Sequence, residues 1–542
     1  MNRKIIDILF AFIIFALPFN FIPRILWLPA IGDPFGANLV IYPLLFSLVY
    51  TVYSQWKYGN VFYKWKTFRK FIVSYLIVLL ISLTWGLIIY PYYDLILSSP
   101  VNQIEKLPKV WSMLNNSGIL ISKKSLLKIW MGARFAKAIL IETFYTFGAA
   151  YMIFCWYHDN HKRAIDILLK VSTLNLIIIA LYGLVDVCYQ NGQMWAQNTL
   201  IVLNSSIHAN MGWQTISWIP QVQFFRDAQN RSLFTEPSAY GIYMAFAYPL
   251  LWWDIFRSRN KKKKIALWIL FVIITFEIFL SQSRLALAVN FGVFAVFIIS
   301  CIYLKTKKIL LLLLALFFGG TVAFGGAMAF LRYGQVPAIM GDWKPLATEW
   351  KKLQQIEDEK KGFRNINANE YFTEGLASLS SNDESSQHAI SNHSRFTVEE
   401  KHIQIGLEHP LIGVGIPLRQ GYLREKLDKD SGVEIQAWNK TIDKIGPLRG
   451  GFPNLGEFTC RFAETGLLGL ISYLIPFFHL LLLYIKRCIK MKKDLAPYIF
   501  SGISLIGIFA TGLGDWMNVF FCYWVALAMG YIINDKNESI GK

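Results

Sequence analysis

The sequence predicts an all-α, polytopic membrane protein of about twelve transmembrane helices, with one large outer loop between the ninth and tenth. Three observations carry that prediction. The 542-residue chain is 54% hydrophobic and 16% aromatic but only 16% charged, with a mean hydropathy of +0.39, a balance that soluble domains rarely reach. Apolar runs of about 20 residues recur along it, the length a helix needs to cross the hydrocarbon core. Between the runs the cations sit in short clusters, Lys57–Lys70, Arg257–Lys264, Lys305–Lys308 and Lys486–Lys493, the pattern of loops kept on the cytoplasmic side. The formal net charge of +19 therefore records topology, and nucleic acid is not an expected partner.

The elements follow in order. With Arg3 and Lys4 inside, the first span covers residues 5–20; no small-x-small cleavage site follows it, so it reads as a retained signal anchor. The second (38–54) returns to the basic segment ending at Lys70, and the third (71–90) leads outside. The fourth (136–157) returns to His158–Arg163, and the fifth (164–187) opens onto an outer segment reaching Arg231. The sixth (234–256), seventh (265–280), eighth (285–303) and ninth (309–330) alternate between the basic clusters and the outer face. The tenth (462–485) follows the large loop, and the last two (496–513 and 517–533) form a hairpin. Both termini are then cytoplasmic. Three regions result: 1–330 with spans one to nine, 331–460 as an outer-loop subdomain, and 461–542 with the last three spans and a short cytoplasmic tail.

Two outer segments carry further expectations. Ser122–Ala138 mixes cations with apolar residues at helical spacing, which suits either a helix lying among anionic lipid headgroups or a lead-in to the fourth span. In the large loop, Thr397–Leu407 reads as an amphipathic helix closed by a Pro/Gly turn, while Glu357–Glu384 is polar enough to expect mobility. The six cysteines show no metal spacing; Cys188–Cys460 is the one bridge considered, because both fall near the outer face.

Five residues are candidates for chemistry. Arg231 and Arg284 stand at the outer ends of spans in loops otherwise poor in cations. An arginine there can simply snorkel to the headgroups, yet its fixed fork of donors also suits phosphate oxygens. Arg395 is a third cation, in the loop. Glu236, before Pro237 at the membrane boundary, either pairs with Arg231 or accepts a proton as a general base. Glu457 and Glu464, seven apart, share a helix face; they either complement the helix dipole or, for Glu457, serve as base. No metal site and no cofactor is expected.

The run Arg-Ser-Leu-Phe-Thr-Glu-Pro-Ser from Arg231, the Ser-Gln-Ser-Arg step ending at Arg284, the His-Pro-Leu-Ile-Gly-Val-Gly turn from His409 and the Ala-Glu-Thr-Gly-Leu-Leu-Gly helix from Ala463 occur in one order. As an ordered set spanning about residues 226–485, they resemble the O-antigen ligase and polymerase superfamily (Wzy and WaaL types) of bacterial surface polysaccharide synthesis. The resemblance implies a GT-C-like helical fold in the bacterial inner membrane, with the large loop periplasmic. It implies inverting, metal-independent glycosyl transfer at the outer face, from a glycan on undecaprenyl diphosphate to a glycan hydroxyl, with membrane lipids and a chain-length regulator as further partners. Arg231, Arg284 and Arg395 would hold the diphosphate, whose charge grows as its bond breaks.

One departure is informative. Ligases commonly carry His-Asn where this chain has Pro453-Asn454, and that histidine is thought to matter for acceptor activation. The difference favours a polymerase over a ligase. A transporter or flippase is the rival from another class. The intramembrane carboxylates Glu142, Asp186 and Glu277 would suit ion coupling, but the halves are unlike and the arginines lie at the boundary rather than the midplane.

Overall fold

A computed structural model describes residues 2–32, 34–59, 61–63, 65–98, 107–207, 230–304, 307–331, 387–427, 432–448, 451–490, 495–518 and 520–535. These residues are helical throughout, without strands. In chain order the helices are α1 (Arg3–Ala16), α2 (Ile41–Tyr58), α3 (Lys66–Ile89), α4 (Tyr93–Ser98), α5 (Leu107–Asn116), α6 (Lys123–Thr143), α7 (Ala149–Tyr157), α8 (His161–Gln190), α9 (Met194–Ile207), α10 (Pro237–Arg257), α11 (Lys261–Leu280), α12 (Arg284–Leu304), α13 (Lys307–Ala329), α14 (Gln387–Glu408), α15 (Arg419–Lys426), α16 (Val433–Ile445), α17 (Glu457–Lys490), α18 (Ala496–Thr511) and α19 (Cys522–Asn534).

Every expected span has a helix at its position, but among the described residues six helices are long and apolar enough to cross a membrane: α3, the continuous helix Lys123–Tyr157, α8, α12, α13 and α17. The chain is a multi-pass membrane protein. The other helices fall short for visible reasons. α1, α18 and α19 have 14, 16 and 13 residues; α11 opens on four lysines and carries Glu277. α10 is aromatic-rich and buried along nearly all its length, so its neighbours rather than lipid cover it.

Ser122 caps α6 by accepting from the Ser125 amide at 3.0 Å, and a π-helical turn at Phe144–Gly148 joins α6 to α7. The Ser122–Ala138 cations therefore ride on the lead-in to a spanning helix. The segments expected in the cytoplasm meet one another. Arg163 pairs with Asp7, Arg257 with Asp166 at 2.5 Å, Lys263 with Asp254 at 2.8 Å, and His158 lies 3.9 Å from Asp535.

α14 contains the expected amphipathic helix, burying Ser394, Val398, His402 and Ile405 along one face. The expectation of mobility at Glu357–Glu384 falls outside the described residues. None of the six cysteines is in a disulfide, so the Cys188–Cys460 bridge does not form; Cys460 instead faces His402, with Sγ 3.7 Å from Nδ1.

The Pro/Gly turn after α14 locks onto a break in α17. Gly466 leaves the helix (φ 61°, ψ −164°), which frees backbone groups on both sides of it. The Leu467 and Leu468 amides donate to Pro410 and Leu411 carbonyls at 2.8 and 3.1 Å, while the Ala463 and Glu464 carbonyls accept from Val414 and Gly415 at 3.0 and 2.8 Å. Ser82 Oγ of α3 lies 2.8 Å from both the Ile412 and the Glu464 carbonyl oxygens, which share its one hydroxyl proton. Gly413 must be glycine twice over: its φ is +72°, and a Cβ would lie 2.5 Å from the Thr465 nitrogen. The two motifs are halves of one joint between α14 and the helix bundle.

Candidate active site

Three expected residues belong to two strained turns backed against each other. The Asn230 amide donates to the Leu280 carbonyl at 3.0 Å, which joins the Arg231 turn to the Ser-Gln-Ser-Arg turn. Ser232 (φ 50°) and Gln282 (φ 48°) are two of three non-glycine residues with positive φ among the described residues, a conformation that such residues adopt at a cost of about 1–3 kcal/mol. Ser232 is held there by its amide donating to Asn230 Oδ1 at 2.8 Å and its hydroxyl donating to the Ile179 carbonyl at 2.7 Å. Arg231 is buried rather than snorkelling, and its Nη1 donates to the Thr235 carbonyl at 3.0 Å. It makes no ion pair with Glu236, so that expected pairing is absent.

Ser283 caps α12 by accepting from the Ala286 amide at 3.3 Å, leaving Arg284 as the first helical residue. The Arg284 side chain lies outside the described residues. Glu236 holds the equivalent place before α10, but its carboxylate does not cap the helix; it accepts from Ser238 Oγ at 3.3 Å. The two helix starts run side by side, since a Cβ on Gly241 would come within 2.6 Å of Ala286 Cβ. Two positive dipole ends thus lie together at one end of the bundle.

The turn between α18 and α19 completes this end. Arg395 of α14 donates from Nη1 to the Gly514 carbonyl at 3.0 Å, and a Cβ on Gly514 would lie 3.9 Å from Leu285 Cδ1, next to Arg284. Asp515 follows in the same turn. Burial pushes its carboxyl up to about 6, Arg395 draws it down, and Glu236 pushes it up. Glu236, Arg395 and Asp515 therefore share one electrostatic site. One turn along α14, burial pushes the Glu399 carboxyl up to about 7 against the pull of Arg395.

Glu457 sits differently. Its side chain is 1% exposed and saturated by the protein: Arg461 Nε donates at 2.8 Å, and the Met517 and Asn518 amides at 3.1 and 3.4 Å. Arg461 also pairs with Glu142, which accepts from Asn518 Nδ2 at 2.6 Å. This buried network pins the α18–α19 turn, and with it Asp515, onto α17 and α6. Glu464 likewise pairs with buried Arg419, whose Nε donates to His402 Nε2 at 3.1 Å. Burial, then Arg419, hold His402 well below the usual histidine range, so it is neutral and can accept that bond.

Sequence reasoning missed Asp515, Arg461, Arg419 and His402. An acid in the Gly-Leu-Gly-Asp turn of the last hairpin was a readable signal for Asp515. The other three depend on long-range partners. Of the intramembrane carboxylates, Glu142 is consumed by Arg461 and Asn518, while Glu277 packs on Gly183 beside Asp186, beneath the Arg231 turn.

A helical multi-pass membrane protein with cations and carboxylates gathered at one end of its bundle defines the class. Residues 269–442 match the family model described as Wzy_C: O-Antigen ligase. The chain carries that domain and is an enzyme of the membrane glycosyltransferase kind that O-antigen ligases and polymerases form. The matched segment includes Arg284 and Arg395; Arg231, Glu236, Glu457 and Asp515 flank it. Comparison with curated proteins and with solved structures gives no match.

Proposed function

We propose that this protein polymerises undecaprenyl-diphosphate-linked oligosaccharide repeat units into O-antigen or a similar surface polysaccharide, at the outer face of the bacterial inner membrane. The observation that carries the reading is the convergence of Glu236, Arg395 and Asp515 beside the starts of α10 and α12. In this reading the twelve helices span the bilayer in a GT-C-like arrangement, both termini are cytoplasmic, and residues 331–460 form the periplasmic subdomain. The donor is the growing chain on its carrier, and the acceptor is the incoming lipid-linked repeat.

The acceptor hydroxyl attacks the anomeric carbon from the face opposite the diphosphate. A glycosidic bond forms, the carbon–oxygen bond to the diphosphate breaks, and the configuration inverts. Arg231, Arg284 and Arg395, with the two helix starts, oppose the negative charge gathered by the leaving diphosphate. The hydroxyl proton passes to a carboxylate, Glu236 or Asp515. Glu457 is a positioning residue here, because its buried carboxylate is engaged in holding the Met517–Asn518 backbone and Arg461.

The matched family's description favours a second reading, a ligase that moves finished glycan to lipid A core or another acceptor. Pro453 in place of histidine supports the polymerase, as does the full burial of His402, whose Nε2 is occupied by Arg419. Complementation of a polymerase-deficient strain carrying the cognate repeat pathway separates the two. A ladder of long chains is expected from the wild type. Arg231→Ala and Arg284→Ala, expressed at wild-type level, should cut transfer by about 10²–10³-fold and leave single repeats. A wild type that yields no ladder but restores glycan attachment in a ligase-deficient strain would make it a ligase. Full activity in both alanine variants would remove the proposed diphosphate site.

A further inference from the structure

Beyond the outer end of α3, a cavity of about 330 Å³ opens between the start of α4 and the helices α15 and α16. Its volume falls in the range of small-ligand sites, about 300–1,000 Å³. Tyr92 and Leu95 form one wall; Arg424 and Glu425 of α15 and Asp443 of α16 form the other. None of these residues belongs to the transfer site described above.

The lining is fixed before any ligand arrives. Tyr92 packs edge-on against Tyr422 (centroids 5.2 Å apart, 89° between planes) and Tyr90 (5.3 Å, 77°). Gly421 makes that approach possible, because a Cβ there would lie 2.7 Å from Tyr92 Cδ2 and 2.5 Å from the Tyr90 hydroxyl. The Tyr92 hydroxyl donates to Glu425 Oε2. Arg424 grips Asp443 with both fork nitrogens, Nη2 at 2.8 Å and Nε at 3.1 Å from Oδ1. α15 is in turn anchored to the bundle by Arg419 and Glu464. A site whose polar groups hold one another loses little freedom on binding.

The chemistry selects the ligand. Two carboxylates against one guanidinium leave the lining net negative, which opposes a phosphate or another anion. A wholly apolar ligand would strip water from the Arg424–Asp443 pair with nothing in return. A neutral polyol meets every demand: its hydroxyls donate to the spare carboxylate lone pairs and accept from the guanidinium, while its C–H face covers Tyr92 and Leu95. We infer that this cavity is a glycan-binding subsite, apart from the transfer site, that takes uncharged sugars of the repeat unit. The inference rests on the polysaccharide-assembly reading above.

The test uses the full chain in lipid nanodiscs. The probe is the soluble oligosaccharide released by mild acid from the producing cell's own lipid-linked repeats, and binding is read by titration calorimetry. Wild type should bind it. Leu95→Trp, which fills the cavity from its wall and removes no hydrogen bond, should raise Kd at least tenfold, as should Asp443→Asn. Arg395→Ala should bind like wild type. Absence of binding by wild type, or equal Kd for wild type and a monodisperse Leu95→Trp, overturns the subsite. If a ladder forms in the complementation assay while Leu95→Trp binds normally, the subsite alone fails. If no ladder forms but Leu95→Trp weakens binding, the polymerase reading fails and the subsite stands.

Discussion

Replacing Gly466 with alanine strikes the joint that seats α14 and its following turn on the bundle, and its cost can be worked from the geometry. Gly466 stands at φ 61°, ψ −164°, a region nearly reserved for glycine, where another residue costs about 1–3 kcal/mol. The new Cβ would lie 2.5 Å from the Ile412 nitrogen. That neighbour is backbone, so it cannot swing aside as a flexible side chain would. Backing the turn away breaks up to four backbone hydrogen bonds of 2.8–3.1 Å, each worth about 1 kcal/mol net. The expected destabilisation therefore runs from about 1 kcal/mol, for the backbone conformation alone, to about 7 kcal/mol with all four bonds lost. The control is Gly320→Ala: Gly320 lies within α13, where a Cβ would meet nothing within 4 Å, so alanine there should be neutral or stabilising by about 0.5–1 kcal/mol. Both variants would be unfolded in detergent with SDS, followed by tryptophan fluorescence, alongside complementation. Arg395 reaches Gly514 from the subdomain held by this joint, so Gly466→Ala should also lose polymer. If it unfolds with Gly320→Ala and keeps its ladder, the interlock is not what seats the subdomain.

Three further outcomes are expected. Arg461→Met leaves Glu142 and Glu457 buried without their cation and should cost about 3–5 kcal/mol; adding Glu142→Gln should recover part of that loss, and strict additivity in the double-mutant cycle would argue against the network. The transfer rate should fall as pH drops through about 6, where Asp515 takes up a proton; Asp515→Asn should lose both the activity and that limb, and a fully active Asp515→Asn would assign the base to Glu236. The Glu399 carboxyl, raised in the fold to about 7 from an ordinary 4.5, favours its neutral form. Its contribution to stability is then present below pH 4.5 and lost as pH rises through 7. Melting temperatures at several pH values check this: Glu399→Gln should gain on wild type as pH rises, and a constant difference would refute it.

The sequence was most legible where one local property decides the outcome. Apolar length and flanking cations placed a helix at every expected span, because crossing the hydrocarbon core demands both. The glycine turn after His409 was also local. What stayed hidden was pairing at long range. Nothing near Glu457 in the sequence announces that Met517 and Asn518 will hold its carboxylate, 60 and 61 residues away. Nothing near Glu142 announces Arg461, 319 positions on. The heptad spacing of Glu457 and Glu464 correctly gave a common face but could not say what that face met. For the same reason Glu457 looked like a base when read alone and looks like an anchor in its network.

Several unfavourable terms in this molecule lie close together. Folding alone gives no reason to hold Ser232 and Gln282 at positive φ, to bury the Arg231 guanidinium, or to set two helix starts side by side. Each raises the free energy of the fold, and each lies within the joined turns at one end of the bundle. A site that must stabilise charge appearing on a diphosphate gains from donors and dipoles fixed in advance, since none then has to reorganise as the bond breaks. The compensating structure lies just behind: the Glu142–Arg461–Glu457 network and the Gly466 joint are well satisfied and touch no substrate in the proposed mechanism. On this argument α17 serves as the support and the starts of α10 and α12 as the working surface, with the Gly512–Asn518 turn pinned between them by Arg395 on one side and Glu457 on the other.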